Sequence, residues 1–336
     1  MQIRSSLLIR RREVLAAIAG CSYGTAGLHP ARAQAAAFPE PGRPLRWVVP
    51  FPAGGTSDLR VRQVAERLKA DAGWNVLVDN RAGASGMIGS DAVAKAAADG
   101  YTLLLGTIGS LAINPAMFFQ QPYDVLRDLQ PITQFSRSVS VLLAHRELGI
   151  SSLPALEARI RGGAAMAFAS TGNATIGHMV GEVWQRRAGI TLTHVPYKGT
   201  APAVQDFVGY QVPLLFETPS AVWPHVLSGV AVPLAVTSAA RMPQMPSVPT
   251  FAEHGHPDIV FDTWQGVLTR RGIAPEVLVT LHREIARALR HPDVVKSHEE
   301  QVNMVVASTP AEFERFIADE TARWAKVVAE TGVKPV

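Results

Sequence analysis

The chain has 336 residues, 47% of them hydrophobic and 18% charged, with a formal charge of +4 and one cysteine. The excess charge belongs to the first 35 residues: removing them takes away Arg4, Arg10, Arg11, Arg12 and Arg32 against one acid, Glu13, and leaves 27 basic and 27 acidic residues. A neutral body carries no electrostatic footprint for nucleic acid, and loss of Cys21 with the same segment excludes disulfide and thiol chemistry.

Arg10-Arg11-Arg12-Glu13-Val14-Leu15 places a twin arginine ahead of an apolar stretch, and Ala31-Arg32-Ala33 and Ala33-Gln34-Ala35 both fit a small-x-small cleavage site. This predicts a twin-arginine signal peptide over 1–35 and a periplasmic protein. Ile18-Ala19-Gly20-Cys21 offers a competing lipoprotein site that would leave Cys21 lipidated; the alanine-rich run continuing to Ala35 favours ordinary cleavage. The remaining 301 residues exceed one typical core and suggest two domains. No later apolar run approaches the ~18 residues of a membrane span.

From Leu45 onward, short apolar strands alternate with amphipathic helices, which predicts an α/β chain with parallel sheets. The first strand, 45–50, ends at Pro50-Phe51-Pro52 and opens into Ala53-Gly54-Gly55-Thr56-Ser57-Asp58, after which Leu59, Val61, Val64, Ala65 and Leu68 recur at helical spacing. Such a loop holds an anion by turning its amides inward at a helix start; the same residues serve equally as a plain strand-to-helix connection with Asp58 as cap. Strands 74–79 and 102–106 follow. Gly83, Gly86 and Gly89 hint at a dinucleotide loop but lack the paired G-x-G, so close helix packing at helix 90–98 is preferred. Gly106 to Pro115 reads as a second loop of small and hydroxyl residues, with Thr107 and Ser110 at a strand's C-terminal end, where ligands gather in open α/β sheets.

The next strand is expected at 139–144, then a capped helix from Ser152-Leu153-Pro154 to Gly162. Ala169-Ser170-Thr171-Gly172-Asn173-Ala174 repeats the logic of the first loop, and Thr193 to Ala203 gives a strand, Tyr197-Lys198, a turn at Gly199 and another helix. Val212 to Glu217 is a strand ending on an acid; helix 220–228 and strand 231–236 follow. Glu217 either selects the far end of a ligand or is a solvated strand terminus. Beyond a proline-rich connector at 243–257, Phe261 to Leu268 reads as a strand returning to the first domain, with Trp264 as core. Two helices finish the chain, the first from Pro275 and the last from the capping box Thr309-Pro310-Ala311-Glu312 with Phe313, Phe316, Ile317 and Trp324 as its buried stripe.

Taken in order, Val49-Pro50-Phe51-Pro52-Ala53-Gly54-Gly55-Thr56-Ser57-Asp58, Asn80-Arg81-Ala82-Gly83, Asn114-Pro115, Ser170-Thr171-Gly172-Asn173, Val195-Pro196-Tyr197-Lys198-Gly199, Leu234 to Ser238 and Val248-Pro249-Thr250 resemble the substrate-binding proteins of tripartite tricarboxylate transporters, the Bug family. The resemblance runs from about residue 45 to the C-terminus. It implies a two-domain, type II periplasmic binding fold, two hinged sheets with flanking helices that close on a small carboxylate or related ligand. Family members accept di- and tricarboxylates, aromatic acids, acidic amino acids and uncharged compounds. It also implies domain 1 over 36–138 and 266–336 and domain 2 over 139–265. Gly54, Gly55, Thr56 and Asp58, with Phe51 and Ser57 beside them, carry over to one wall of the cleft. Ser170, Thr171, Asn173, Tyr197, Lys198 and Gly199 carry over to the other, although a lysine beside a glycine turn is more often a solvated charge. The sequence departs from the family pattern at Ala53, Ala82, Ala174 and Thr269-Arg270-Arg271-Gly272, where two charges stand near the return crossing.

The rival reading is an exported serine hydrolase. Gly55-Thr56-Ser57-Asp58-Leu59 begins like a nucleophile elbow but ends in leucine, and no G-x-S-x-G occurs. His178 and Glu182 lie one helical turn apart and His254-Gly255-His256 is a close pair, but H-E-x-x-H is absent, so no metal, cofactor or enzyme activity is expected. The expected partners are a small ligand and a membrane transporter or sensor, with the protein a monomer. Mass spectrometry of the exported protein should find Ala36 at the N-terminus; a diacylated Cys21 would replace the signal-peptide reading with the lipoprotein one.

Overall fold

The computed structural model describes residues 38–331 and 333; the twin-arginine stretch and the candidate processing sites at Cys21 and Ala35 lie outside them. Strand formation follows the apolar runs. Leu45, Trp47, Val48 and Val49 are all fully buried, as befits a strand covered on both faces. On the helix that follows, Thr56–Ala72, the buried face is Val61, Val64, Ala65 and Leu68. Leu59, expected on that stripe, points outward with 57% of its surface exposed, because it lies about 200° around the helix from Val61.

Among the described residues, eleven strands form two sheets. The chain lays down β1 (Leu45–Val49), β2 (Val76–Asn80), β3 (Thr102–Thr107) and β4 (Leu129–Val139), then builds a second sheet from β5 (Val141–His145), β6 (Ala167–Ser170), β7 (Thr193–Pro196), β8 (Leu214–Glu217) and β9 (Ala231–Val236), and returns to the first with β10 (Asp262–Arg270) and β11 (Met304–Val305). The strand orders are β11-β4-β10-β3-β1-β2 and β7-β6-β8-β5-β9. This is the two-sheet α/β architecture with flanking helices expected from the sequence, but the sheets are mixed rather than parallel. β1, β2 and β3 run parallel, as do β6, β7 and β8, whereas β10 lies antiparallel between β3 and β4, and β5 antiparallel between β8 and β9. The reversals at β5 and β10 fall on the strands that follow the two crossings between sheets, and the short edge strand β11 is also antiparallel to β4.

The crossings are tied together at one residue. β4 ends at Val139 and β5 begins at Val141, so Ser140 alone makes the outward crossing. The return runs from Thr237, just past β9, to Phe261, just before β10. The Thr237 hydroxyl accepts the Ser140 amide at 2.9 Å and donates to the Phe261 carbonyl at 2.6 Å, while the Thr237 amide donates to the Ser140 carbonyl at 3.0 Å and the Phe261 amide to the Thr237 carbonyl at 3.0 Å. Thr237 is fully buried, where each of these bonds replaces a hydration shell that cannot form.

β4 carries Gln130, Thr133, Gln134, Ser136, Arg137 and Ser138 among the buried apolar residues Leu129, Ile132, Phe135 and Val139, with no period-two alternation, and it is absent from the strands read from sequence. Two of its hydroxyls find partners at the far end of the chain: the Thr133 hydroxyl donates to the Ser308 carbonyl at 2.7 Å and the Ser138 hydroxyl to the Val302 carbonyl at 2.7 Å. Arg270 and Arg271 also find partners here, Arg270 at the Ala94 carbonyl and Arg271 at the Leu129 carbonyl (3.1 Å) and Glu314 (2.6 Å). They pin the end of β10 to the helix that ends at Ala94, to the start of β4 and to the last helix.

The last helix, Pro310–Thr331, opens with the expected capping box, Glu312 accepting from the Thr309 amide at 2.8 Å and Thr309 from the Glu312 amide at 3.3 Å. Its Phe313 ring packs edge-on to Trp264 at 5.9 Å, and Glu320 accepts from the Trp264 indole at 3.0 Å, so Trp264 is core. Phe313 sits flat over Gly266 on β10: a methyl group added there would lie 1.9 Å from the ring. Gly266→Ala should therefore destabilise the protein by ~1–3 kcal/mol through overpacking. A urea midpoint equal to wild type would show that the helix does not bear on that strand.

Candidate functional site

The glycine loop after β1 is held from behind. Asp58, 1% exposed, accepts from the Gly54 amide at 2.9 Å, from Arg62 at 3.0 Å and from Asn80 at 3.0 Å, and Asn80 in turn donates to the Phe51 carbonyl at 3.1 Å. Burial pushes the Asp58 carboxyl up, but the bonds from Arg62, Gly54 and Asn80 outweigh it and hold it below its usual range. Asp58 thus shapes the loop rather than meeting a ligand. Gly55 is the N-cap of Thr56–Ala72, with no side chain capping the helix start.

Opposite, the loop after β6 is closed by its own polar atoms. The Ser170 hydroxyl accepts from the Gly172 amide at 3.2 Å and lies 2.6 Å from His194 Nε2; the Thr175 hydroxyl donates to the Gly172 carbonyl at 2.7 Å. His194 stacks on His178 at 4.1 Å between ring centres, and His178 Nδ1 accepts the Ala174 amide at 3.1 Å, just ahead of its own helix. The turn after β7 is hydrogen-bonded to the same loop, Tyr197 to the Ser170 carbonyl and Gly199 to the Thr171 carbonyl. Gly199 has φ +110° and comes so near the first loop that a Cβ would meet Pro52 at 3.2 Å, so glycine is required by both conformation and space.

Between the two loops, at the C-terminal ends of the parallel strands of both sheets, lies a cavity of about 110 Å3, room on the order of ten water molecules or ligand heavy atoms. Four α-helices begin at its wall: Thr56–Ala72, Ile176–Ala188, Thr200–Val208 and Pro219–Leu227. None of the four has a side-chain cap, so the first-turn amides that have no partner within the helix are left to the cavity and its contents; the fourth helix contributes least, because its first residue, Pro219, has no N–H. Each half of the protein supplies donors.

The depth of the cavity is charged. Arg60 is 6% exposed; it donates to the Ser220 hydroxyl at 3.0 Å across the gap, and its Nε is buried without a partner among the described residues. Burial lowers its pKa to about 10, against the charge of Glu217, so the guanidinium stays protonated at neutral pH. Glu217, 7% exposed, accepts from the Thr218 amide at 2.7 Å and hydroxyl at 3.1 Å. Gln265 donates to the Ser57 hydroxyl at 2.7 Å and leaves its own carbonyl oxygen unpartnered; Asn303 and Ser136 complete the floor.

Of the residues singled out in the sequence, Phe51, Gly55, Thr56, Ser57, Thr107, Thr171, Lys198, Gly199 and Glu217 line this cavity. Gly54 and Asp58 form the back of the first loop. Ser110 and Ser170 are fully buried. Ser110 is engaged with Thr107 at 3.1 Å, because the expected loop at 106–115 is instead a π-helical turn, Gly109–Ile113, running into Asn114–Met117. Asn173 and Tyr197 face a second opening that shares Phe51, Pro52, Ser85 and Thr171 with the cavity; the Tyr197 hydroxyl is taken by Asp206 at 2.8 Å, and the Asn173 carbonyl by Ser85 at 2.6 Å. Glu217 is not a solvated strand end. Arg60, Gln265, Asn303 and Ser136 were not found from sequence. Only Arg60 had a signal, one helical turn beyond Thr56 and so on the same face.

Burial lowers the pKa of His178 to about 4 and, with the charge of His178, that of His194 to about 3. Both are neutral when folded, so below about pH 6.5 the unfolded chain takes up protons that the native loop refuses, and stability falls as pH drops from there toward 4. Glu182, Glu217 and Asp262, raised by burial, act in the opposite sense. The slope of the urea midpoint between pH 7 and 5 should therefore tilt toward greater low-pH stability in His194→Gln than in wild type. Identical slopes would remove the histidine pair from the account.

Residues 60–333 match the family described as "Tripartite tricarboxylate transporter family receptor". Protein BugT of Bordetella pertussis is 40% identical over 322 residues, covering 95% of this chain and 98% of BugT. Among solved structures, an R. palustris protein in complex with adipate is 33% identical at a TM-score of 0.84, and the periplasmic binding protein BugD is 28% identical at 0.83; each alignment covers 88% of this chain and 99% of the other. The chain belongs to the tripartite tricarboxylate transporter receptor family, whose members are periplasmic solute-binding proteins.

Proposed function

We propose that the cavity captures one small carboxylate, and that the protein delivers it to a membrane transporter or reports it to a sensor. The observation that carries this reading is the convergence of four helix starts without side-chain caps, one from the first sheet's half and three from the second's, around a buried guanidinium. Unpartnered amides and a buried cation together make a dry, electropositive pocket suited to an anion. The adipate complex of the R. palustris relative is in keeping with a carboxylate ligand here.

Capture works by division of the donors. Gly55, Thr56 and Arg60 come from the first-sheet half; Thr171 and the start of the helix Thr200–Val208 come from the second. Neither half alone holds a full cage, so the domain division expected from the sequence, 36–138 with 266–336 against 139–265, would have the two parts hinge and close on the ligand. A micromolar Kd corresponds to about −8.2 kcal/mol, within reach of several charge-assisted hydrogen bonds of ~1.5–3 kcal/mol each, less the entropy of immobilisation. We infer a monomer exported by the twin-arginine route, with no catalysis. Ser57, the serine of the rival hydrolase reading, accepts from an amide rather than facing a histidine, and the Ser170–His194 pair has its serine fully buried.

A thermal-shift screen of carboxylates on the mature protein should find compounds that raise the melting temperature without being consumed; at 100 times Kd the gain is roughly 2.7 kcal/mol. Turnover of an ester or amide that is abolished in Ser57→Ala would replace the receptor by a hydrolase.

A further inference from the structure

Two opposite charges are buried at the floor of the cavity without being paired to each other. Arg60 reaches across from the first half and Glu217 ends β8 in the second, and among the described residues they form no ion pair. Arg60 touches only the neutral Ser220 hydroxyl at 3.0 Å; the titratable groups whose charge bears on it or is borne on by it are Glu217 and His298, and His298 is neutral, burial lowering its pKa to about 4. On Glu217, Oε1 is occupied by Thr218, while Oε2 is buried and has no hydrogen-bond partner; the Thr200 hydroxyl and the charge of Arg60 act on the carboxylate from the same cavity. A buried charge left unpaired costs several kcal/mol. A fold that keeps two of opposite sign, each more than nine-tenths buried, around one ligand-sized space is incomplete until something bridges them.

We propose that the bridging ligand is an amino-carboxylate, an amino acid or a close relative, with its carboxylate on the Arg60 side and its ammonium donating to Glu217 Oε2. This rests on the carboxylate reading of the cavity and narrows it. An anion suits Arg60 and the helix starts, but a second anion at the far end, as in a simple dicarboxylate without an amino group, would stand against Glu217 in a low dielectric, where like charges repel strongly. An ammonium there has three donors for one free acceptor and supplies the counter-charge that the site lacks. Burial holds the Glu217 carboxyl above its usual range, with Thr218, Thr200 and Arg60 drawing it back; a cation against it favours the ionised form further.

The test is isothermal titration of the mature protein at neutral pH with matched pairs: glutamate and glutarate, aspartate and succinate, γ-aminobutyrate and butyrate. The amino member of at least one pair should bind at least tenfold tighter than its partner. Glu217→Gln should bring that ratio close to one by weakening the amino member, whereas Arg60→Gln should weaken both members. Glu217→Asp, which keeps the charge but withdraws it by one methylene, should give an intermediate ratio and serves if the glutamine variant does not fold. The proposal is overturned if the simple acids bind as tightly as the amino acids or more so, if other carboxylates stabilise the protein and no amino acid does, or if Glu217→Gln leaves the ratio unchanged. Failure of every carboxylate, amino-bearing or not, to bind or stabilise the protein would instead remove the carboxylate reading on which this rests.

Discussion

The fully buried threonine at the crossing between the sheets is the constraint on which the site depends. The two sheets share a chain that crosses once at Ser140 and returns at Phe261, and Thr237 hydrogen-bonds both crossings at once. Because the bonds are made by backbone groups and a β-branched hydroxyl with one stiff rotamer, the two sheets share a common reference point. The C-terminal ends of their parallel strands then face one space, and four of the helices that follow those strands begin at its wall. Parallel strands followed by helices put helix starts at the same edge of a sheet; the crossing turns two such edges toward each other.

What fills that edge is a mixture of main-chain and side-chain chemistry with separate duties. Main-chain donors from four helix starts are insensitive to side-chain identity and set the preference for an anion. Side chains shape the loops from behind: Asp58 braces the first by taking the Gly54 amide, and the Ser170, His194 and His178 cluster braces the second. Asp58, Ser170 and His178 are buried and hydrogen-bonded, so the loops are braced by contacts internal to the protein. The side chains left open, Arg60, Glu217 and Gln265, are buried at the floor with unsatisfied atoms. Buried polar groups are nearly always hydrogen-bonded in a finished structure, and three such atoms around one cavity mark where recognition is completed from outside the protein.

Much of this was legible in the chain itself. The period of the apolar residues separates strands from helices, and the glycine and hydroxyl turns after β1, β6 and β7 mark helix starts because few other residues allow the backbone to turn so sharply there. The capping box at Thr309 is local in sequence and so visible in it. The family likeness was carried by the same turns, which are short, contiguous and chemically constrained.

Only tertiary structure decided the rest. β4 is a buried strand of polar and apolar residues without period-two alternation, and the partners of two of its hydroxyls, Val302 and Ser308, arrive more than 160 residues later. The reversal of β5 and β10, which makes the sheets mixed, follows from where the chain crosses. In the site, the glycine loops could be read, but not which of their residues face the ligand: Asp58, Ser110 and Ser170 turn inward to brace the backbone, while Arg60 and Gln265 reach in from a helix and a strand with no motif of their own. Local sequence thus determined where the chain turns and which ends can donate to an anion, because those depend on neighbours within one or two turns of backbone. The meeting of a guanidinium from one half and a carboxylate from the other at one cavity depends on residues 157 positions apart in the chain, and only the packing of the two sheets brings them to one floor.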